Sequence, residues 1–397
     1  MSLKAATRCV KLLSADDQHG AVVPPIYQTA TFRQPGAVEF GEYDYSRSGN
    51  PTRSVLEQQL AELEGGAHAC AFASGMAAIT ALTRTLNSGD EMIAGDDLYG
   101  GTVRLLERVL SRQAVTVRYV DATDPAAVKD ALSPRTKLIL IESPSNPLLR
   151  ISDIRSLSQI AAAAGVLLAV DNSMLSPILQ QPLSLGADFV IHSATKFLCG
   201  HSDVTAGAVV TNDATLHEQI AFQQNAEGAA LAPFESWLLL RGLKTLALRV
   251  ERQNESAAKI AEFLQIHDAI KNVYYPGLKN HPGYQLQRSQ AAGDGSVITF
   301  TTGDAEASRK IVEATKLFTI AVSFGSVGST ISLPCYMSHA SIPAALKEKL
   351  APPEDLIRLS VGIEDPGDLI EDLQQALTAA DWHAARQSRS AVTGGGS

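Results

Sequence analysis

Cysteine is scarce: Cys9, Cys70, Cys199 and Cys335 are spread across 397 residues with no C-x-x-C pair. That spacing gives no zinc or dithiol redox motif and fits a reducing compartment. Long apolar runs are missing as well. None approaches the roughly 20 residues of a membrane-spanning helix. Residues 1–25 lack the charged, apolar and cleavage segments of a secretory signal, and they are not a Ser/Arg-rich transit peptide. No basic run or tail occurs, and the formal net charge is −9. Nucleic acid and anionic membrane surfaces are therefore poor partners for this chain.

What the chain has is core: 45% of its residues are hydrophobic and 19% charged, enough for two or three domains or subdomains. Residues 1–50 carry little regular pattern. Pro24 and Pro25 oppose a helix, and an extended arm draped over a second subunit is the economical reading. Pro51 then opens a helix with Val55, Leu56, Leu60 and Leu63 on one face, ending at Gly65-Gly66. From about 67 to 211, short apolar strands alternate with helical periods. The strands are expected at Ala69–Ala73, Glu91–Ala94, Val115–Val120, Lys137–Ile141, Val166–Val170, Phe189–Ile191 and Gly207–Val210. Such runs predict an α/β fold with a mainly parallel seven-stranded sheet covered on both faces. One long helical pattern runs from Phe234 to about Phe263. A smaller α+β domain follows, with strands at Ser296–Phe300 and Leu356–Ser360 and helices near Glu306–Thr315 and Leu369–Thr378. The expected divisions are an arm at 1–50, a main domain at 51–245, a C-terminal domain at 246–385 and a flexible tail at 386–397.

Chemistry-bearing residues collect at the expected strand ends. Lys196 lies just past the strand Phe189–Ile191, where open α/β sheets keep their ligand crevices. Desolvation there would lower its pKa and yield a nucleophilic amine. Ser74-Gly75-Met76 joins a strand to a helix, and backbone N–H groups at such a start bind phosphate. The stretch is neither G-x-x-x-x-G-K-[ST] nor G-x-G-x-x-G, so a nucleoside triphosphate or dinucleotide is unsupported. Ser193 and Thr195 could add hydroxyl donors. Asp171 ends an apolar strand 25 residues before Lys196, one strand–helix–strand step away. Taken singly, each has an ordinary reading: a junction lysine, an N-cap aspartate, small residues that pack. Together, a lysine able to condense with an aldehyde, a phosphate cup and an aspartate for a pyridinium nitrogen are what pyridoxal phosphate requires. Tyr99 could stack on the ring.

These stretches carry a family resemblance. Tyr45-Ser46-Arg47-Ser48-Gly49-Asn50-Pro51-Thr52, Ala73-Ser74-Gly75-Met76-Ala77-Ala78, Asp97-Leu98-Tyr99-Gly100-Gly101-Thr102, Glu142-Ser143-Pro144-Ser145-Asn146-Pro147, Val170-Asp171-Asn172, Ser193-Ala194-Thr195-Lys196, the stretch from Pro233 to Thr245 and Arg358-Leu359-Ser360-Val361-Gly362-Ile363-Glu364-Asp365 match in turn. The chain resembles the cysteine/methionine-metabolism branch of fold-type I pyridoxal-phosphate enzymes from about residue 5 to 380. The resemblance implies that Lys196 carries the cofactor and acts as acid/base, with Tyr99 assisting. It implies that Asp171 holds the pyridinium nitrogen and that Gly75, Met76, Ser193 and Thr195 hold the phosphate. Tyr45 and Arg47 would reach in from a neighbouring subunit of a homodimer, itself paired into a homotetramer. Arg358 would clamp the substrate's α-carboxylate, helped by Asn146 and Ser323.

Within the family, Val322 occupies the place before Ser323 where γ-acting members usually carry glutamate. That apolar residue, Tyr43-Asp44-Tyr45 and Ser326 resemble the plant-type cystathionine β-lyases. Gly101, where methionine γ-lyase has cysteine, counts against that activity. The expected reaction is β-elimination of L-cystathionine to homocysteine, pyruvate and ammonia, as in methionine biosynthesis, with a γ-synthase or γ-lyase as the alternative. A non-catalytic regulatory protein is the reading from a different class, opposed by the intact Lys196, Asp171 and Arg358. The expected compartment is the cytoplasm, or the plastid stroma had a leader been removed.

Overall fold

The computed structural model describes residues 3–11, 18–340, 342 and 350–393, without the side chains from 380 onward. Its larger sheet contains β1 (His68–Phe72), β2 (Glu91–Gly95), β3 (Thr116–Val120), β4 (Thr136–Glu142), β5 (Leu167–Asp171), β6 (Phe189–His192) and β7 (Gly207–Thr211). They lie in the order β1-β7-β6-β5-β4-β2-β3. Pairings from β3 to β6 are parallel, while β7 runs antiparallel to both neighbours. Each strand falls within a residue or two of its expected place, because continuous apolar runs are what a sheet buried on both faces demands. Phe72, Met92, Leu138, Leu168 and Phe189 have essentially no exposed surface. Burial of each such side chain contributes about 1.5–3 kcal/mol.

Helices close the crossovers, and their ends follow from local chemistry. In the helix Pro51–Glu64, Asn50 accepts from the N–H of Thr52 and Pro51 fills the first turn. In the helix Gly75–Thr83, the Ser74 hydroxyl accepts from the N–H of Ala77. The register then sets the site: Glu142 on β4 faces Asp171 on β5, and Asp171 faces Ile191 on β6. Three strand ends therefore deliver side chains to one edge.

A second sheet is built from β8 (Asn272–Tyr274), β9 (Val297–Thr301), β10 (Thr319–Ile320), β11 (Thr330–Ser332) and β12 (Leu356–Ser360), in the order β10-β11-β12-β9-β8. Its core joins Ile298, Phe300, Ile357 and Leu359 to Ile311, Leu369 and Leu373 of the covering helices.

Four features differ from expectation. The arm contains a helix at Ala5–Val10, pinned by Arg8 Nη1 donating to the carbonyl of Glu62 and by Gln59 donating to that of Arg8. The long pattern after Phe234 divides into Pro233–Leu243 and Leu246–Gln265. Just past the break Arg249 turns inward, donating to the carbonyls of Phe197 and Gly242 at 2.7 and 2.9 Å. Strands β8, β10 and β11, of two or three residues each, were not expected. The last helix runs Pro366–Thr393, into the stretch expected as a flexible tail from 386, and residues 394–397 lie outside the described residues. No helix among the described residues is long and apolar enough to cross a membrane.

Candidate active site

A cavity of about 430 Å³ opens at the carboxyl ends of β4, β5 and β6. Lys196 enters it from the turn after β6, where the N–H of Lys196 donates to the carbonyl of Ser193 and that of Gly200 to the carbonyl of Lys196. Gly200 has φ +76°, and a Cβ there would lie 2.1 Å from Arg249 Nη1. The Arg249 guanidinium thus packs directly against the lysine turn. Lys196 Nζ donates to Ser323 Oγ at 2.5 Å and sits 4.9 Å from the Phe324 ring centroid. Burial, reinforced by the Arg358 charge and opposed by Asp171, lowers its pKa from 10.5 to about 8. Fewer protons are held at neutral pH, as a nucleophilic amine needs.

Asp171 stands across from it. Burial raises its pKa, against hydrogen bonding by Ser173 and the charges of His192 and Lys196. A cation brought to this carboxylate would offset the cost of burying it. Beside it, the Glu142 pKa is raised well above the ordinary carboxylate value, first by burial and then by Asp171.

One end of the cavity is the start of the helix Gly75–Thr83. A Cβ on Gly75 would come within 2.9 Å of both Cα and Cβ of Ser193, so this wall accepts hydrogen and nothing larger. Met76 and Ser193 line the same space. Thr195 lines it too, yet its hydroxyl exchanges hydrogen bonds with the backbone of Ala206, accepting at 2.9 Å and donating at 3.2 Å.

Opposite lies Arg358, 2% exposed in the middle of β12. Nη1 donates to Asn146 Oδ1 at 2.9 Å and Nη2 to the carbonyl of Ser323 at 3.0 Å. Burial lowers its pKa to about 10, so it keeps its charge at neutral pH. Ser323 holds φ +85°, a strained left-handed conformation for a side chain with a Cβ. Tyr99 and Val322 complete the lining, 38% and 55% exposed.

Eleven expected site residues thus meet in one cavity: Gly75, Met76, Tyr99, Asn146, Asp171, Ser193, Thr195, Lys196, Val322, Ser323 and Arg358. Tyr45 and Arg47 do not line it. Arg47 stacks over the Tyr45 ring at 5.4 Å and donates to the carbonyl and side chain of Asn225.

The family model for Cys/Met metabolism PLP-dependent enzymes matches residues 6–378. The chain belongs to that family. It is 54% identical over 371 residues to the chloroplastic cystathionine beta-lyase of Arabidopsis thaliana, covering 94% of this chain and 80% of that one. It is 50% identical over 365 residues to the cystathionine gamma-lyase of Bacillus subtilis, covering 92% and 96%. The solved structure of cystathionine gamma synthase from Xanthomonas oryzae pv. oryzae in complex with cystathionine superposes with TM-score 0.93 at 43% identity, covering 96% of this chain and 99% of that one.

The family's cofactor is pyridoxal phosphate, and the residues present fit it. Gly75, packed closely against Ser193, lines the cavity at the start of a helix, Lys196 supplies an amine with a lowered pKa, and Asp171 supplies a buried carboxylate. Sequence reasoning gave no role to Glu142, His339, or the buried network behind Asp171. In that network His192 Nε2 meets Glu64 Oε1 at 2.5 Å, and Asn172 donates to the same oxygen at 2.9 Å. His339, buried and pushed down to about 4, lies edge-on to Tyr99 and contacts the carbonyl of Asn146. The one available signal was a polar residue ending an apolar strand: Glu142 and His192 share it with Asp171.

Proposed function

We propose that the chain cleaves the Cβ–S bond of L-cystathionine, adding water to give homocysteine, pyruvate and ammonia. The carrying observation is the wall at Val322. Among the described residues lining the cavity, the acidic side chains are Glu142 and Asp171 at the sheet edge, and the Val322–Phe324 wall presents none. A distal ammonium there meets no carboxylate to draw Cγ into the reacting position. The Arabidopsis relative, named for the β-lyase activity, supports the same reading.

In this reading Gly75, Met76, Ser193 and Thr195 hold the phosphate, Asp171 holds the ring nitrogen, and Tyr99 covers the ring. Bound there, pyridoxal phosphate supplies an electron sink for the charge that develops at the substrate's Cα. Arg358, steadied by Asn146 and Ser323, holds the α-carboxylate through a planar fork. Lys196 Nζ takes the Cα proton. As the Cβ–S bond breaks, the departing sulfur receives a proton from Lys196 Nζ or the Tyr99 hydroxyl. The three-carbon fragment hydrolyses to pyruvate and ammonia after release.

Tyr45 and Arg47 would complete the cavity of a second copy. In support, they lie off their own chain's cavity, on an arm that exposes Val38 by 87% and Phe40 by 72%. The assembly we propose is a homodimer, paired into a tetramer. We place the chain in the cytoplasm, with the plastid stroma as the alternative, since the Arabidopsis relative is named as chloroplastic.

Turnover of cystathionine with product identification tests the reading. Pyruvate should exceed α-ketobutyrate, and Val322→Glu should lower pyruvate formation, since a displacement of about 1 Å in distal placement can change a rate roughly a hundredfold. Mainly α-ketobutyrate from the wild type would give the γ-lyase reading instead.

A further inference from the structure

Glu142 ends β4 with its side chain buried, and its partners belong to two different parts of the cavity. Oε1 accepts from the N–H of Tyr99 at 2.9 Å, and the backbone of Asn146 lies close enough to the carboxylate to favour its charged form. Tyr99 is the N-cap of the nine-residue helix Gly100–Arg108, which has no capping hydrogen bond from its own N-cap side chain. A carboxylate from another strand therefore serves as its cap. Asn146 is the residue that receives Arg358 Nη1. We propose that Glu142 is a positioning residue that locks the aromatic wall at Tyr99 and the carboxylate clamp at Asn146–Arg358 into one register.

A structural anchor without this role would not be expected on the cavity wall, directly across the ladder from Asp171. There two carboxylates crowd each other in a desolvated site, which costs free energy unless both have donors. The donor Glu142 has is the backbone N–H of Tyr99, with the backbone of Asn146 beside it on the loop that carries the clamp. Losing these contacts should loosen the grip on a substrate carboxylate more than the grip on a bare amine.

The inference rests on the cavity's taking pyridoxal phosphate and an amino acid, and its test separates the two. Wild type, Glu142→Gln and Glu142→Leu are loaded with pyridoxal phosphate and titrated with glycine and with methylamine, following the cofactor's visible absorbance. Glutamine keeps one acceptor oxygen and leucine none. The glycine constant should therefore weaken from wild type to Gln to Leu, by about tenfold or more at the extreme, the ordinary effect of losing a charge-assisted hydrogen bond. The methylamine constant should stay within about threefold, because methylamine has no carboxylate for the clamp. If the leucine variant does not fold, the glutamine variant carries the comparison through its single lost acceptor. Equal glycine constants in all folded variants, or parallel weakening of glycine and methylamine, would overturn the inference. A wild-type protein with no visible band would overturn the functional reading itself.

Discussion

Lys196 should titrate about two and a half pH units below an ordinary lysine, and the neighbours that move it can be exchanged one at a time. With its pKa lowered from 10.5 to about 8, the free amine at pH 7 is roughly 9% of the total, about 300 times the fraction expected of a solvent-exposed lysine. Burial is the largest cause, the Arg358 charge the second, and Asp171 opposes both. Arg358→Leu, which removes a like charge, should raise the midpoint by about one pH unit, while Asp171→Asn should lower it further. The assay is acetylation of the cofactor-free protein across a pH series, with the Lys196 peptide quantified by mass spectrometry. Half-maximal labelling near pH 8 is expected. A midpoint at or above 10, or movement of the two variants in the same direction, would refute the account of how this amine is activated.

Other outcomes follow from the same contacts. Arg358→Lys keeps the charge but not the fork to Asn146 and Ser323. At about 1.5–3 kcal/mol for each charge-assisted bond, kcat/KM should fall roughly 10²- to 10⁴-fold. A loss under tenfold in steady-state kinetics would contradict the clamp. Inactive Arg47→Ala protein mixed and refolded with inactive Lys196→Ala protein should regain partial activity, since some shared sites receive neither lesion. No recovery, with mixed oligomers confirmed by mass, would rule out sharing between subunits. Glu64→Leu strands His192 Nε2 and the Asn172 amide in a buried setting, which should cost about 1–3 kcal/mol for each group. An unchanged urea midpoint would argue against that network.

Much of the fold was legible because its signals are local. Runs such as Leu138–Ile141 and Leu167–Val170 are apolar on every residue, and few environments other than a doubly covered strand accept that. Lys196, Asp171 and Ser74-Gly75 were legible for the complementary reason: polar or very small residues interrupting apolar runs mark strand ends. What escaped depends on partners distant in sequence. Beside the helix break at Lys244–Thr245, Arg249 reaches Phe197, 52 positions away. Strands β10 and β11 are too short to show a period, and they exist because β12 and β10 flank β11. Glu142 reads as one more polar strand end until its contact with Tyr99, 43 positions earlier, is seen.

The cavity's chemistry follows from one force acting with opposite sign on acids and bases. Desolvation raises Glu142 and Asp171 and lowers Lys196 and Arg358, in every case toward the neutral form. Two acids come from neighbouring strands of one sheet, one base from the turn beside them and the other from the second sheet. Such a site gains most from a guest that brings complementary charge to each place: an anion for Arg358, a cation for Asp171, and a carbonyl carbon for the amine of Lys196. An amino acid bound beside a pyridinium ring satisfies all three at once, whereas an aliphatic amine or a simple carboxylate satisfies one. Arg358 and Asp171 both act on the Lys196 amine and both face a guest's charges, so removing either should disturb the lysine's reactivity and the binding of a charged guest together.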